Sequence, residues 1–480
     1  MSEQSPGQKR FEMVLGGKLG KGVLQIMDSP VAGWDPFTKS YYVVRFLRKE
    51  QMSLLWIYDI QPNLDWNWAR LNGASIDAGD TFFRRESATG RDLGVLAASL
   101  HKKTHHSLRV LDALCGCGIR SLRYLIEADA DFVWANDANE NHGNVILSNL
   151  SQVSRGFGEN RRWVVTHCDA NAVMADSFVH KEYFDFIDVD SFGSDSSFLR
   201  PAFNALRFGG LLYLTSTDGY TSGGHRPQHC LAAYGAYLRP MPYSNELGLR
   251  MLIAGAVREA SVLGYHVAPL FSYYSYHGPV FRVLLQVKRG KLPNNSHYSF
   301  IGYCNKCGNS QAISWDRLGQ IRCPCNLNVP GSLLVSGPLY TGPLHSATYL
   351  AEMLNLAEQW GWTGNGTGKD LKKLLKQLID ESDPKLPFGF IKLDELASRA
   401  KIDSPPLLTM MSALHKNDPR LDLTKIYWKS LVITSIFVAI TWWMLQEGYV
   451  TSRSHIASNA IKTNCPMAEC IRIARELRQC

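Results

Sequence analysis

The chain has 480 residues, 45% of them hydrophobic and 20% charged, enough apolar material for two or three packed domains. Its 51 Lys and Arg against 43 Asp and Glu give a formal net charge of +8, which suits a polyanionic partner such as RNA without identifying one. Eleven cysteines, four of them crowded between positions 304 and 325, argue for a reducing compartment and a metal site rather than a disulfide framework.

The N-terminus carries no apolar stretch of the kind a secretory signal needs, and its early Glu3 and Glu12 make it a poor transit peptide. Residues 1–75 read as an irregular segment rich in aromatics (Trp34, Trp56, Trp66, Trp68). From residue 76 to 290 short apolar runs alternate with helix-length amphipathic stretches. LRVLDAL, DFVWAND, RRWVVTHCD, FDFIDVD and GGLLYLTSTD read as strands, with IRSLRYLIEA, ENHGNVILSNLSQV and SFLRPAFNALR as the helices between them. Such alternation predicts βαβ units, an α/β fold with a mostly parallel, doubly wound sheet. FRVLLQVKR reads as a late strand.

Residues 291–480 form a predicted C-terminal region that begins with the cysteine cluster. SATYLAEMLNLAEQW and KDLKKLLKQLIDES read as helices, and IKLDELASRAKIDSPPLLTMMSALHKN as two short helices across a turn, like a helix-turn-helix. Leu431–Leu445 is an uncharged run bracketed by Lys429 and Glu447. It is shorter than the ~20 apolar residues of a membrane span, so a buried core element is expected and no membrane association.

Ligands of doubly wound sheets sit at the carboxyl ends of the strands. The first strand runs into Asp112-Ala-Leu-Cys-Gly116-Cys-Gly118-Ile-Arg120-Ser121. Gly116 and Gly118 permit a tight turn and close approach of a ligand. Asp137 closes the second strand 25 residues after Asp112, where a carboxylate would accept from ribose hydroxyls, and Asp169-Ala170 closes the third, where an adenine edge would lie. A dinucleotide-binding oxidoreductase would want Gly where this chain has Ser121. Cys115 and Cys117 read as incidental loop thiols.

The fourth strand ends in Asp190-Ser191-Phe192-Gly193. An acid followed two residues later by an aromatic suits methylation of an exocyclic amine. The carboxylate of Asp190 would accept an N–H of guanine N2 and favour charge build-up there, while Phe192 would stack on the base. Asp188 is assigned to the opposite face of the strand, with a structural role.

Together these stretches resemble the tRNA guanine-26 N2-dimethyltransferase family. GRDLGVLAA, LDALCGCGIRSLRY, NDAN, CDAN, DVDSFGS, TSTDG, YSNELGLRML and SGPLYTGPLH match in order, followed by EGYVTSRSH and IKTNCP near the C-terminus. The resemblance implies a Rossmann-like class I methyltransferase domain using S-adenosylmethionine, with Arg91, Arg120, Asp137, Asp169 and Ala170 in contact with it and Asp190 catalytic. Two departures stand out. Ser191 replaces a Pro of the family, which predicts a looser loop and a reaction slowed or limited to one methylation; Gly90 replaces an Asn.

Cys304-x-x-Cys307 and Cys323-Pro-Cys325, with fifteen residues between the pairs, offer the four thiolates of a structural tetrahedral zinc in an α+β C-terminal domain. Lys369, Lys372, Lys373 and Lys376, with the helix-turn-helix stretch, are candidate contacts to a tRNA backbone. The target base would have to flip out of its stack. Alternatives are a catalytically impaired RNA-binding or chaperone-like module and a nicotinamide-dependent oxidoreductase. No obligate protein partner is expected. The location expected is intracellular, the nucleus, with plastid or mitochondrion as alternatives.

Overall fold

The computed structural model describes residues 76–290, 297–323, 325, 331–364, 368–416 and 449–479, together with the backbone of five strands before residue 61. The chain divides into two units, Met1–Ile76 and Asp77–Cys480. In the first, β1 (Glu12–Leu15) pairs antiparallel with β2 (Lys18–Lys21), and β3 (Val31–Asp35), β4 (Ser40–Lys49) and β5 (Met52–Ile60) form an antiparallel meander. The segment expected to be irregular therefore contains strands. SYYVVRFLRK and MSLLWIYDI are rich in β-branched and aromatic residues and two residues apart, a hairpin spacing that the count of tryptophans obscured.

The second unit is built on a seven-stranded sheet of order β11-β12-β10-β9-β6-β7-β8. Its parallel members are β6 (Arg109–Asp112), β7 (Phe132–Asn136), β8 (Trp163–Thr166), β9 (Phe184–Asp190) and β10 (Leu206–Ser216). Five helices precede or link them: α1 (Ala88–His105), α2 (Ile119–Ile126), α3 (Gly143–Leu150), α4 (Ala170–His180) and α5 (Leu199–Ala205). In β9 six of seven residues are buried, as in a strand covered on both faces, where alternation gives way to a continuous apolar run. The antiparallel β12 (Val280–Arg289) and β11 (Tyr265–Ser275) complete the sheet beyond β10.

Between β10 and β11 lie α6 (Gly219–Ser222), α7 (Pro227–Tyr234) and the long α8 (Ser244–Val262). Several helices went unread in the sequence, among them α1, α4 and α8. α8 buries Glu246 and Arg250 among its apolar residues, which blurs the periodicity by which a helix is recognised.

A second sheet, β14-β13-β15, comprises β13 (Tyr298–Cys304), β14 (Ser310–Ile313) and β15 (Leu333–Tyr340). One core cluster runs from Leu111, Ile187 and Leu214 through α8 to Ile301, Tyr303 and Leu339. β13 and β15 therefore share a core with the central sheet. Beyond them, α9 (Ala347–Gln359) and α10 (Gly368–Glu381) follow as expected. The helix-turn-helix stretch gives β16 (Ile391–Lys392), α11 (Leu393–Ala400) and α12 (Leu407–Lys416). These combine with β17 (Thr451–Arg453), β18 (Ala460–Thr463) and α13 (Met467–Gln479) around a separate small core. The run 431–445 lies outside the described residues, among which no helix is long and apolar enough to cross a membrane.

Candidate active site

A cavity of about 560 Å³ opens at the carboxyl ends of β6, β7, β9 and β10. Its floor is the turn after β6, where Gly116 takes φ +57° and Gly118 takes φ +78° as the residue preceding α2. Only glycine adopts such angles without strain. A side chain at Gly116 would point into open space, so that position is free for a ligand to approach. The turn is tied to the next strand: Cys115 N–H donates to the carbonyl of Asn136 at 2.8 Å, and Gly116 N–H to Asp137 Oδ2 at 2.9 Å. The other oxygen of Asp137 faces Asn139 N–H and His142 Nδ1, each at 3.0 Å. Burial pushes the Cys115 and Cys117 thiols up, which fits inert loop residues.

Arg91 reaches the cavity from α1. Its Nη1 donates to the carbonyl of Arg84 at 3.1 Å, and its guanidinium lies 4.7 Å from the Phe83 ring centroid. Nε and Nη2 are buried and have no hydrogen-bond partner among the described residues. Burial, then the nearby Arg120 and Arg123, lower its pKa to about 9. A buried, crowded cation with two unused donors is a receptor for an anionic group such as a ligand carboxylate.

Asp190 sits at the end of β9 between two arginines. Arg120 Nη2 approaches its Oδ2 at 2.8 Å, and Arg282 Nη1 its Oδ1 at 3.1 Å. Arg282 Nη1 also donates to Thr215 Oγ1 at 2.7 Å. Arg120 Nη1 meanwhile reaches Asp188 Oδ2 at 2.7 Å, where Tyr124 also donates its hydroxyl at 2.6 Å. Asp188 is therefore on the same face of β9 as Asp190, not the opposite one, because strand side chains repeat with a period of two. The two differ in depth: the Asp188 side chain is 0% exposed and that of Asp190 29%. Burial pushes the Asp190 carboxyl up, but Arg120 and Arg282 outweigh it and hold it far below the ordinary carboxylate range.

The loop after Asp190 is pinned rather than loose. Ser191 Oγ donates to the carbonyl of Thr215 at 2.8 Å, Gly193 N–H to Thr217 Oγ1 at 2.7 Å, and Thr217 N–H to the carbonyl of Gly193 at 2.9 Å. A buried serine hydroxyl bonded to the neighbouring strand supplies the anchorage that a proline ring was expected to provide. Phe192 projects beyond it, 73% exposed, with its ring centroid 5.0 Å from that of Phe82 in an edge-on arrangement. Arg84 covers the Phe82 ring at 4.7 Å.

Of the expected site residues, Arg91, Gly116, Arg120, Asp137, Asp190 and Phe192 line this cavity. Asp112, Gly118, Asp169 and Ala170 do not. Asp112 is buried beneath the floor, where Ser121 Oγ donates to it at 2.7 Å. Burial and then the neighbouring Asp188 push its carboxyl up to about 8. Asp169 caps α4, accepting from the backbone of Asn171 and Ala172 at 2.8 and 3.2 Å, and Ala170 is the first, buried residue of that helix. Arg282, Thr215, Phe82 and Phe83 also line the cavity and went unnamed in the sequence. The one signal for Arg282 was a cation inside the apolar run of β12.

The four cysteines converge at the end of β13. Cys304 and Cys325 Sγ are 3.9 Å apart, Cys307 and Cys323 Sγ 3.3 Å, and all four lie within 4.8 Å of one another. Four thiolates at ~2.3 Å from a tetrahedral ion stand ~3.8 Å apart, so the set fits zinc. Burial alone would raise the Cys304 thiol, yet backbone N–H groups of the turn at Cys307 and Lys306, with the neighbouring thiols, bring it to about 7.

A second group, His345, Glu381 and His455, joins two motif ends. Ser272 N–H donates to His345 Nδ1 at 3.3 Å and Tyr274 N–H to His455 Nε2 at 3.4 Å. The imidazole protons then sit on the other nitrogens, and that of His455 faces Glu381 Oε1 at 2.9 Å. The network is incomplete, since His345 Nε2 and Glu381 Oε2 are buried without a hydrogen-bond partner among the described residues.

The sequence model described as N2,N2-dimethylguanosine tRNA methyltransferase matches residues 74–433. A tRNA (guanine(26)-N(2))-dimethyltransferase of Saccharolobus islandicus is 30% identical over 362 residues, 74% of this chain and 87% of its own length. The Pyrococcus abyssi enzyme of the same name is 28% identical over 403 residues, 82% and 92% of the two chains. The solved structure of Trm1 from Pyrococcus horikoshii with S-adenosyl-L-methionine superposes with a TM-score of 0.66 at 25% identity, over 83% of this chain and 96% of that one.

Proposed function

The chain belongs to the N2,N2-dimethylguanosine tRNA methyltransferase family, and from that premise we infer that it methylates the exocyclic N2 of guanine in tRNA, at position 26, through to the dimethyl product. The observation that carries this reading is the ionised carboxylate of Asp190, fixed between Arg120 and Arg282 in a cavity that also holds the unsatisfied Arg91.

S-Adenosylmethionine, when bound, supplies an electrophilic sulfonium methyl whose transfer to N2 forms the N–C bond, leaves the S–C pair on a neutral thioether and places positive charge on N2. Arg91 would take the methionine carboxylate and Asp137 the ribose hydroxyls, with Asp169 and Ala170 towards the adenine edge. Phe192 and Phe82 would hold the flipped base. Asp190 accepts an N2–H bond, orients the lone pair and stabilises the charge that develops on the amine. A carboxylate this firmly ionised is a weak base. A weak base suffices, because the methylated, positively charged N2 is itself strongly acidic and sheds its proton to Asp190 or water.

The oxidoreductase alternative loses ground because Ser121 is buried against Asp112 rather than facing the cavity. The impaired-module alternative loses its basis in the anchored Ser191. Nucleoside mass spectrometry of a guanine-26 tRNA incubated with the protein and cofactor should yield N2-methyl- and N2,N2-dimethylguanosine. No product on diverse tRNAs, from protein that binds the cofactor, would overturn the reading.

Cys304, Cys307, Cys323 and Cys325 would hold one structural zinc, closing the end of the β13–β15 sheet. Metal analysis of protein purified without chelators should return one zinc per chain, lost in Cys304→Ala together with thermal stability. Four freely titratable thiols and no zinc would refute this.

A further inference from the structure

Asp190, Thr215 and Arg282 are register partners on three adjacent strands: Asp190 pairs with Thr215 across β9 and β10, and Thr215 with Arg282 across β10 and β12. The sheet itself therefore aims Arg282 at Asp190. The side chain is 3% exposed and bonds both Thr215 Oγ1 and Asp190 Oδ1. Space for it is made by Gly90, in the first turn of α1. A Cβ at that position would stand 2.5 Å from Arg282 Nε and 2.9 Å from its Cδ and Cζ. Glycine within a helix is unfavourable by ~1 kcal/mol relative to alanine, so its presence calls for a packing reason, and the guanidinium is that reason. The Gly90 carbonyl also accepts the Tyr213 hydroxyl at 2.8 Å, holding α1 against β10.

A carboxylate gripped at one oxygen still turns about its Cβ–Cγ bond, a broad torsion. Gripped at Oδ2 by Arg120 and at Oδ1 by Arg282, it has one orientation and one spare acceptor direction on each oxygen. Unmethylated guanine N2 offers two N–H groups, either of which can be held. The monomethylated amine offers one, and it must be held with the first methyl turned away. The second transfer is thus the step that depends on the carboxylate's orientation.

We propose that Arg282, admitted by Gly90, is a positioning residue that locks the rotation of Asp190 and thereby governs the second methyl transfer more than the first. The proposal rests on the reading of Asp190 as the group that holds the amine. The charged and hydrogen-bonding groups facing Asp190 are Arg91 from α1, Asp112 from β6, Arg120 from α2, Asp188 from its own strand, Tyr213 and Thr215 from β10, and Arg282 from β12. Removal of Arg282 leaves Arg120 as the only direct cationic partner among the described residues, so the Asp190 carboxyl moves up.

The test is single-turnover methylation of a guanine-26 tRNA and of the same tRNA carrying N2-methylguanosine at that position, across pH, with Arg282→Gln, Arg282→Lys and Gly90→Ala. Arg282→Gln should slow the second transfer by ~10-fold more than the first, the scale of one lost charge-assisted hydrogen bond. Its acid limb should move to higher pH, and the monomethyl product should accumulate. Arg282→Lys should recover part of the pH profile but less of the dimethyl yield, since an ammonium restores charge without the planar fork. Gly90→Ala should favour the monomethyl product with Arg282 still present, so the proposal stays testable even where an Arg282 variant fails to fold. Equal slowing of both transfers, or an unmoved acid limb in Arg282→Gln together with wild-type product ratios in Gly90→Ala, would overturn it. A wild-type chain that makes no methylguanosine would instead remove the reading of Asp190 itself.

Discussion

Two buried ion networks in the same unit use the same chemistry to opposite ends. Around Glu246 in α8, Arg250 Nε and Nη2 approach Oε1 at 2.9 and 2.8 Å, Gly389 N–H donates to it at 2.7 Å, and Lys462 takes Oε2 at 2.5 Å. Arg250 spends its remaining nitrogen on the carbonyls of Tyr340 and Gly342. Every partner is protein, the carboxylate is fully enclosed, and the network ties α8 to β15 and β18. Around Asp190 the carboxylate is likewise held by two cations, but it keeps an open side toward the cavity, and Arg91 nearby keeps two unused donors. The first network is saturated and fastens elements together. The second is left incomplete, and on the proposed function the missing partners are a cofactor and a base. Unused hydrogen-bonding capacity beside an open cavity is what separates the second network from the first.

Breaking each network should give opposite phenotypes. Asp190→Ala should lower single-turnover methylation by ~10²–10⁴-fold, the range for a positioned acid–base group. Cofactor affinity and thermal stability should stay near wild type, because water can reach the arginines left behind. Normal methylation by Asp190→Ala would remove the carboxylate from the chemistry. Glu246→Ala strands Arg250 and Lys462 in the core and should destabilise folding by ~3–5 kcal/mol, read by denaturant unfolding, with little effect on the rate constant of the protein that remains folded. A stable Glu246→Ala variant would mean that the network is dispensable.

The comparison sharpens with pH. Burial pushes Glu246 up, but Lys462 and Arg250 outweigh it and bring the carboxyl down to about 2. A depressed carboxyl contributes its full stability above its unfolded value and loses it as pH falls toward the folded one. Wild-type stability should therefore decline from about pH 4.5 toward about pH 2, and Glu246→Gln, already weaker at neutral pH, should decline less steeply over that window. Parallel acid transitions in the two proteins would exclude Glu246 as their source. This is the smallest of the effects.

The local pieces were legible in the amino-acid sequence because their causes are local. Strands β6, β9 and the second half of β10 are covered on both faces and so read as continuous apolar runs. The Gly116–Gly118 turn is a backbone requirement written in residue type, and DVDSF sits at a strand end because the apolar run stops there. The four cysteines were legible by their spacing. What stayed hidden depends on contacts between residues distant in the chain. Arg282 is 92 residues from Asp190 and Lys462 is 216 from Glu246, and no periodicity announces either meeting. Asp188 was put on the wrong side of its strand, the Ser191 loop was expected to be slack, and residues 1–75 were expected to be irregular although five strands lie between Glu12 and Ile60. Sequence determined the order of the main strands, the glycine turn after β6, the carboxylate at the end of β9 and the spacing of the four cysteines, since each follows from neighbouring residues and backbone preference. Tertiary structure alone decided which arginines grip that carboxylate, which glycine makes room for one of them, and which buried charges are satisfied. These depend on strand register and helix packing, whose energies come from surfaces brought together only when the chain has folded.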